Sequence, residues 1–147
     1  MLDLKSSLSL KVVNEQVKVF DIIRKKYVAF TPEEYVRQTL IRFLIKTKKY
    51  PKNLMSLEYE FKLYEQKKRA DIVVYNNEGN PVMIIECKAP GIKITQNVVN
   101  QIAIYNIYYK VKYLLITNGT DFYVFFLDKK HNTIKSLKTI PMYADLT

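Results

Sequence analysis

The stretch VMIIECKAPG, residues 82–91, decides how the chain is read. Strand-forming apolar residues run to Ile85, a carboxylate and an ammonium follow two positions apart, and Pro90-Gly91 ends the run. Alternate residues of a strand share a face, so Glu86 and Lys88 point the same way. Cys87 between them points the other way and reads as a small buried hydrophobe. A strand that is otherwise apolar and ends in two charged heads on one side is delivering those heads somewhere.

Working outward, RADIVVYNNEGN (69–80) reads as a strand running into a turn, with Asp71 at its opening. Before it, LEYEFKLY (57–64) alternates and reads as another strand. After the central stretch, TQNVVNQIAIYNIYY (95–109) places Val98, Gln101, Ile102 and Tyr105 at i, i+3, i+4 and i+7, a helical pattern. YLLIT-NGT-DFYVFFL (113–127) reads as strand, Asn-Gly turn and strand. The last of these is a core strand or, alternatively, an apolar contact surface between copies.

Upstream, TPEEYVRQTLIRFLIKTKK (31–49) predicts a helix. Thr31 is a good N-cap, Pro32 suits the first turn, and Glu34 at N3 completes a capping box. Val36, Leu40, Phe43, Leu44 and Thr47 form one apolar stripe, with Glu33 near its edge and Glu34 well away from it. Glu33 also stands four residues before Arg37 and could pair with it. QVKVFD (16–21) predicts a short strand, followed by a basic patch at Arg24, Lys25 and Lys26, and residues 1–15 read as peripheral. The order helix, three strands, helix, two strands defines an α/β (α+β) class, a mixed central sheet flanked by helices.

The 147 residues suit one domain, 1–147. Twelve Tyr, seven Phe and a 48% apolar content exclude a disordered chain. The net charge of +10 favours an anionic partner, nucleic acid first. One cysteine excludes an internal disulfide and a cysteine zinc site, which points to the reducing cytoplasm. The sequence has no apolar run of about eighteen residues and no secretory leader pattern, so no membrane association is expected. His131 lies in the polar DKKHN turn and reads as solvated.

Asp71 and Glu86, on neighbouring strands, can meet at one end of the sheet with Lys88 on the same side. Two carboxylates are hard oxygen ligands suited to Mg2+ or Mn2+, which bind through one or two carboxylates plus phosphate and water. A lysine beside them can stabilise charge at a phosphoryl transition state. Metal-assisted phosphodiester hydrolysis uses these groups.

The ordered set RKKYVAFTPEEYVRQ, RADIVVY, MIIECKAPG, NQIAIYN and YLLITNG, from about Phe20 to Gly119, resembles the PD-(D/E)xK nuclease superfamily. More closely, it resembles the N-terminal nuclease domain of type I restriction enzyme R subunits. The resemblance implies a restriction-endonuclease-like fold and a DNA endonuclease that needs Mg2+ or Mn2+. It implies Asp71 and Glu86 as metal ligands, Lys88 as the catalytic lysine, and Gln101 with Tyr105 as a Q-x-x-x-Y element touching the site or the DNA. The helix acid of the set would be Glu33 or Glu34, with Glu33 fitting better because the capping box occupies Glu34. Lys67, Lys68 and Arg69 lie beside Asp71 and are candidates for phosphate contact. Ala70 stands where the superfamily motif has proline. No G-x-x-x-x-G-K-[ST] occurs, so the chain has no P-loop ATP site and a motor would be a separate partner. Three readings stay open: a competent nuclease, a non-cleaving nucleic-acid-binding module of the same fold, and a nuclease subunit that acts with a separate motor or specificity subunit or as a homodimer.

Overall fold

The computed structural model describes residues 8–146. A three-stranded antiparallel sheet comes first, in the order β1 (Leu10–Val13), β2 (Gln16–Asp21), β3 (Lys26–Ala29). Helix α1 (Pro32–Lys46) follows. The main sheet then runs in sequence order: β4 (Met55–Leu63), β5 (Gln66–Tyr75), β6 (Pro81–Cys87), β7 (Tyr113–Thr117), β8 (Phe122–Asp128) and β9 (Thr133–Leu137). Every pairing is antiparallel except β6 with β7, where helix α2 (Gln96–Tyr109) makes the crossover. The sheet is mixed, as the sequence predicts.

Helix α1 forms for the expected reason at its start. The Thr31 hydroxyl accepts a hydrogen bond from the Glu34 N–H at 3.0 Å, and Pro32 follows. Val36, Leu40, Ile41 and Leu44 are fully buried against Ile72, Met83, Ile85 and Leu115 of the sheet. Thr47 departs from the predicted stripe: it is the exposed C-cap, and Ile41 takes its place. The opposite sheet face, with Val73, Ile84, Leu114 and Ile116, is covered by Ile94, just before α2, and by Val98 and Val99 at its start.

Several boundaries differ from expectation. β5 begins at Gln66, so Asp71 lies within the strand instead of opening it. KKRA (67–70) is held extended because it pairs with β4, from Tyr59↔Ala70 to Lys62↔Lys67. β1, β3 and β9 were not expected as strands. Each is four or five residues long with no buried residue, so none carries an alternating apolar signal. β8 lies between β7 and β9 with Val124 buried, as a core strand should. The predicted turn after β7 is present: Gly119 has φ +91°, and a Cβ there would sit 3.4 Å from Val36 Cγ2.

Candidate active site

Two local devices set the end of β6. Ala89-Pro90-Gly91-Ile92 closes a turn through an Ile92 N–H to Ala89 carbonyl bond of 3.2 Å, with Gly91 at φ +82°. Pro at the second position and Gly at the third are what a type II turn requires. The turn ends the strand just after Lys88, whose N–H still bonds the Thr117 carbonyl at 2.8 Å. Beyond it, buried Asn118 donates from Nδ2 to the Ile92 carbonyl at 2.9 Å, tying the β7–β8 turn to this loop.

The β5–β6 ladder stops at Ile72↔Ile85, so Asp71 and Glu86 occupy the next facing positions. There the Asp71 carboxylate replaces the backbone acceptor: Oδ2 takes the Cys87 N–H at 2.7 Å. On its other side Asp71 faces Glu58, which sits between the pairs Leu57↔Ile72 and Tyr59↔Ala70 with φ +53°. A non-glycine residue in that region inside a strand is strained, and such strain collects at functional sites.

Asp71, Glu86 and Lys88 are therefore brought together. Lys88 Nζ is 3.4 Å from Glu86 Oε1, while Glu86 Oε2 is buried beside Asp71 with no cation or N–H donor. Burial, then the neighbouring Asp71 charge, pushes the Glu86 carboxyl up to about 8. Burial also raises Asp71, against the Cys87 N–H and Arg37. Cys87, fully buried on the α1 side, has its thiol pushed well above the usual range by burial and is an inert packing group.

Beside this pair lies a second charged cluster that the sequence did not reveal. Arg24 forms an ion pair with Asp21 and donates to Glu58 Oε2 at 2.9 Å and Glu34 Oε1 at 3.2 Å. Arg37, 4% exposed in its side chain, donates to Glu34 Oε2 at 2.9 Å. It also lies 3.3 Å from Glu58, 3.7 Å from Asp71 and 4.0 Å from Glu33. Arg24 thus belongs to this cluster and is no part of a free basic patch.

The helix acids also exchange places relative to expectation. Glu34 is buried at 5% exposure, while the Glu33 side chain is 47% exposed. Glu34 does not return to the Thr31 N–H, which bonds the Ala29 carbonyl at 3.0 Å. Charged donors are the stronger partners, and Arg24, Arg37 and Gln38 (2.9 Å) take its carboxylate inward. Glu33 lies at the rim, raised by burial and by the Asp71 charge. Among the described residues, no three His, Cys, Asp or Glu side chains form a ready metal-ligand group.

The remaining candidates spread outward. Gln101 is exposed on α2 and does not share the buried Val98–Val99 face. The Tyr105 side chain lies outside the described residues. Lys67 and Arg69 are exposed, and Lys68 is half-buried. Arg69 reaches to 3.9 Å from Glu58.

The fold has a solved counterpart. The fragment structure of a putative HsdR subunit of a type I restriction enzyme from Vibrio vulnificus YJ016 matches with a TM-score of 0.57 over 78% of this chain, at 19% identity. That likeness establishes a shared fold, and the chain spans about a quarter (24%) of that fragment's length. The family model for the N terminus of type I restriction enzyme R proteins matches residues 32–141. The chain belongs to this family. A comparison with curated proteins gave no match. Among the described residues no helix is long and apolar enough to cross a membrane.

Proposed function

We propose that this chain is a metal-dependent endonuclease of the PD-(D/E)xK type that hydrolyses DNA phosphodiester bonds. The observation that carries this reading is the buried Asp71–Glu86 carboxyl pair, with no cation or N–H donor on Glu86 Oε2 and Lys88 across the same carboxylate. Two buried carboxyls this close cannot both ionise unless a cation joins them; without one they hold a proton between them. Two hard carboxylates side by side fit Mg2+ or Mn2+. Asp71 and Glu86 would hold the ion, with Glu33 as the helix acid at the rim. When bound, the ion supplies positive charge to the phosphate under attack and to the water that attacks it.

The chain's own residues do the rest. Asp71 is fixed by the Cys87 N–H, so one of its oxygens is oriented by backbone. Lys88 follows directly on the strand, its backbone anchored to Thr117, and places an ammonium beside Glu86 where a scissile phosphate can meet it. Gln101, exposed on α2, and Tyr105 are proposed DNA contacts, as are Lys67, Lys68 and Arg69. One chain offers one such set, so a single copy nicks one strand. Cutting both strands takes a second copy or a partner.

A second reading is that cleavage occurs only when a separate motor or specificity subunit presents the DNA. It is favoured by membership of the family of type I restriction enzyme R protein N termini.

Supercoiled plasmid with Mg2+ or Mn2+ tests the proposal. Wild-type protein should yield open circles before any linear DNA, and Lys88→Ala should yield none while binding DNA almost as well. One charge among a net +10 contributes little to counterion release. Equal cleavage by the Lys88→Ala and Glu86→Ala variants and wild type would assign the activity elsewhere.

A further inference from the structure

The β4–β5 hairpin runs beyond the sheet. From Gln66 to Asp71, β5 pairs with β4 and has no ladder partner in β6, which first joins at Ile72. Between Tyr59 and Arg69 the described side chains are exposed except half-buried Lys68. A two-stranded ribbon is marginal by itself in water. Its charge placement adds to that cost: Lys62 and Lys67 are direct cross-strand partners, both exposed. Like charges placed opposite each other destabilise a hairpin. At the tip, Tyr64 and Glu65 both have positive φ, +50° and +66°, and Tyr64 is 77% exposed.

These features fit an elongated anionic partner that fills the space between the lysines. We propose that the Tyr59–Arg69 ribbon enters a groove of duplex DNA, with Lys62 and Lys67 on flanking phosphates and Tyr64 leading. A two-stranded β-ribbon is one of the elements the major groove admits, about 12 Å across. The ribbon from Gln66 to Arg69 spans roughly 10 Å, enough to reach the floor of a major groove about 8.5 Å deep. The site lies in line with it. Lys67, Arg69 and Asp71 are alternate residues of one strand, and Arg69 already reaches Glu58 beside Asp71. A phosphate strand held by Lys67 and Arg69 is thereby led toward the Asp71–Glu86 pair. Lys68 and Glu60 modulate this and do not define it.

This inference rests on the DNA nuclease reading, and the experiment separates the two. Fluorescence anisotropy of a labelled duplex, in chelator so that nothing is cut, is read across a salt series. Lys62→Glu with Lys67→Glu should weaken binding about tenfold or more, and Lys62→Gln with Lys67→Gln should lower the salt slope by about two. Lys130→Glu with Lys135→Glu, an equal charge change on exposed residues of the far hairpin, should cost far less. Tyr64→Ala should weaken duplex binding more than single-strand binding. If both double charge reversals weaken binding equally, the ribbon holds no privileged contact and the inference is overturned while the nuclease reading stands. Wild-type protein that binds no duplex at any salt overturns both. Because the altered side chains are exposed, unchanged thermal melting serves as the folding control.

Discussion

Asp71 stands between two charged clusters built on opposite principles. On the α1 side, Arg24 and Arg37 are each shared among several carboxylates, so Asp21, Glu34 and Glu58 are closely compensated. On the β6 side, Glu86 has one oxygen near Lys88 and the other buried beside Asp71 with no cation or N–H donor. The first cluster is closed at its carboxylates, where every oxygen has a partner, although Arg37 Nε and Nη1 and Gln38 Oε1 are buried without one, and it ties β2, α1 and β4 together. The second is open, and that incompleteness is the ground on which we propose it as the place for chemistry. Charge density alone would not tell them apart; satisfaction of each oxygen does.

That contrast predicts opposite mutational signatures. The largest stability effect should come from Arg37→Met, which strips the guanidinium from buried Glu34 and Asp71. Removing one partner of a buried ion pair costs about 3–5 kcal/mol, so thermal melting should fall by about 10 °C or more. A loss under about 1 kcal/mol would mean that the closed cluster holds little.

The next effect belongs to pH. In metal-free protein Glu86 is raised to about 8 from an ordinary value of 4.5, so the folded state holds its proton more tightly than the unfolded state. The stability this provides is fully present below the ordinary value and is lost as pH rises through about 8. Melting temperature should therefore decline over that window, and Mn2+ should oppose the decline by taking the proton's place. Glu86→Gln should flatten the slope. A slope unchanged in Glu86→Gln would locate the titration in another group.

The smallest stability effect should be that of Lys88→Ala. Its pair with Glu86 is 3.4 Å long and partly exposed, worth about 0–1 kcal/mol. Calorimetry should show almost no shift in a variant that cuts nothing. A large melting loss would return Lys88 to the structural side of the comparison.

The two clusters also differ in how far the sequence disclosed them. Glu86 and Lys88 were legible because strand alternation and the Ala-Pro-Gly turn act over a few residues, and Asp71 because its strand adjoins β6. Helix α1 was legible from Thr31, Pro32 and its apolar stripe. The closed cluster was not, because it joins Arg24 to Glu58 across thirty-four positions and no local period records such a pair. The same long-range pairing misled the reading of Glu34: an amphipathic wheel assigns it to solvent, while two arginines draw it inward. Strands β1, β3 and β9 escaped notice because short exposed strands take their shape from ladder hydrogen bonds.

The most direct measurement is anomalous scattering from Mn2+ in crystals grown with a short DNA duplex. The predicted result is one peak bridging Asp71 and Glu86, with oxygens at roughly 2.1–2.2 Å and Glu86 Oε2 among them. No peak should appear among Arg24, Arg37, Glu34 and Glu58. Carboxylates that stay too far apart to share the ion, or a peak only outside the pair, would contradict the assignment of the open cluster as the cleavage site.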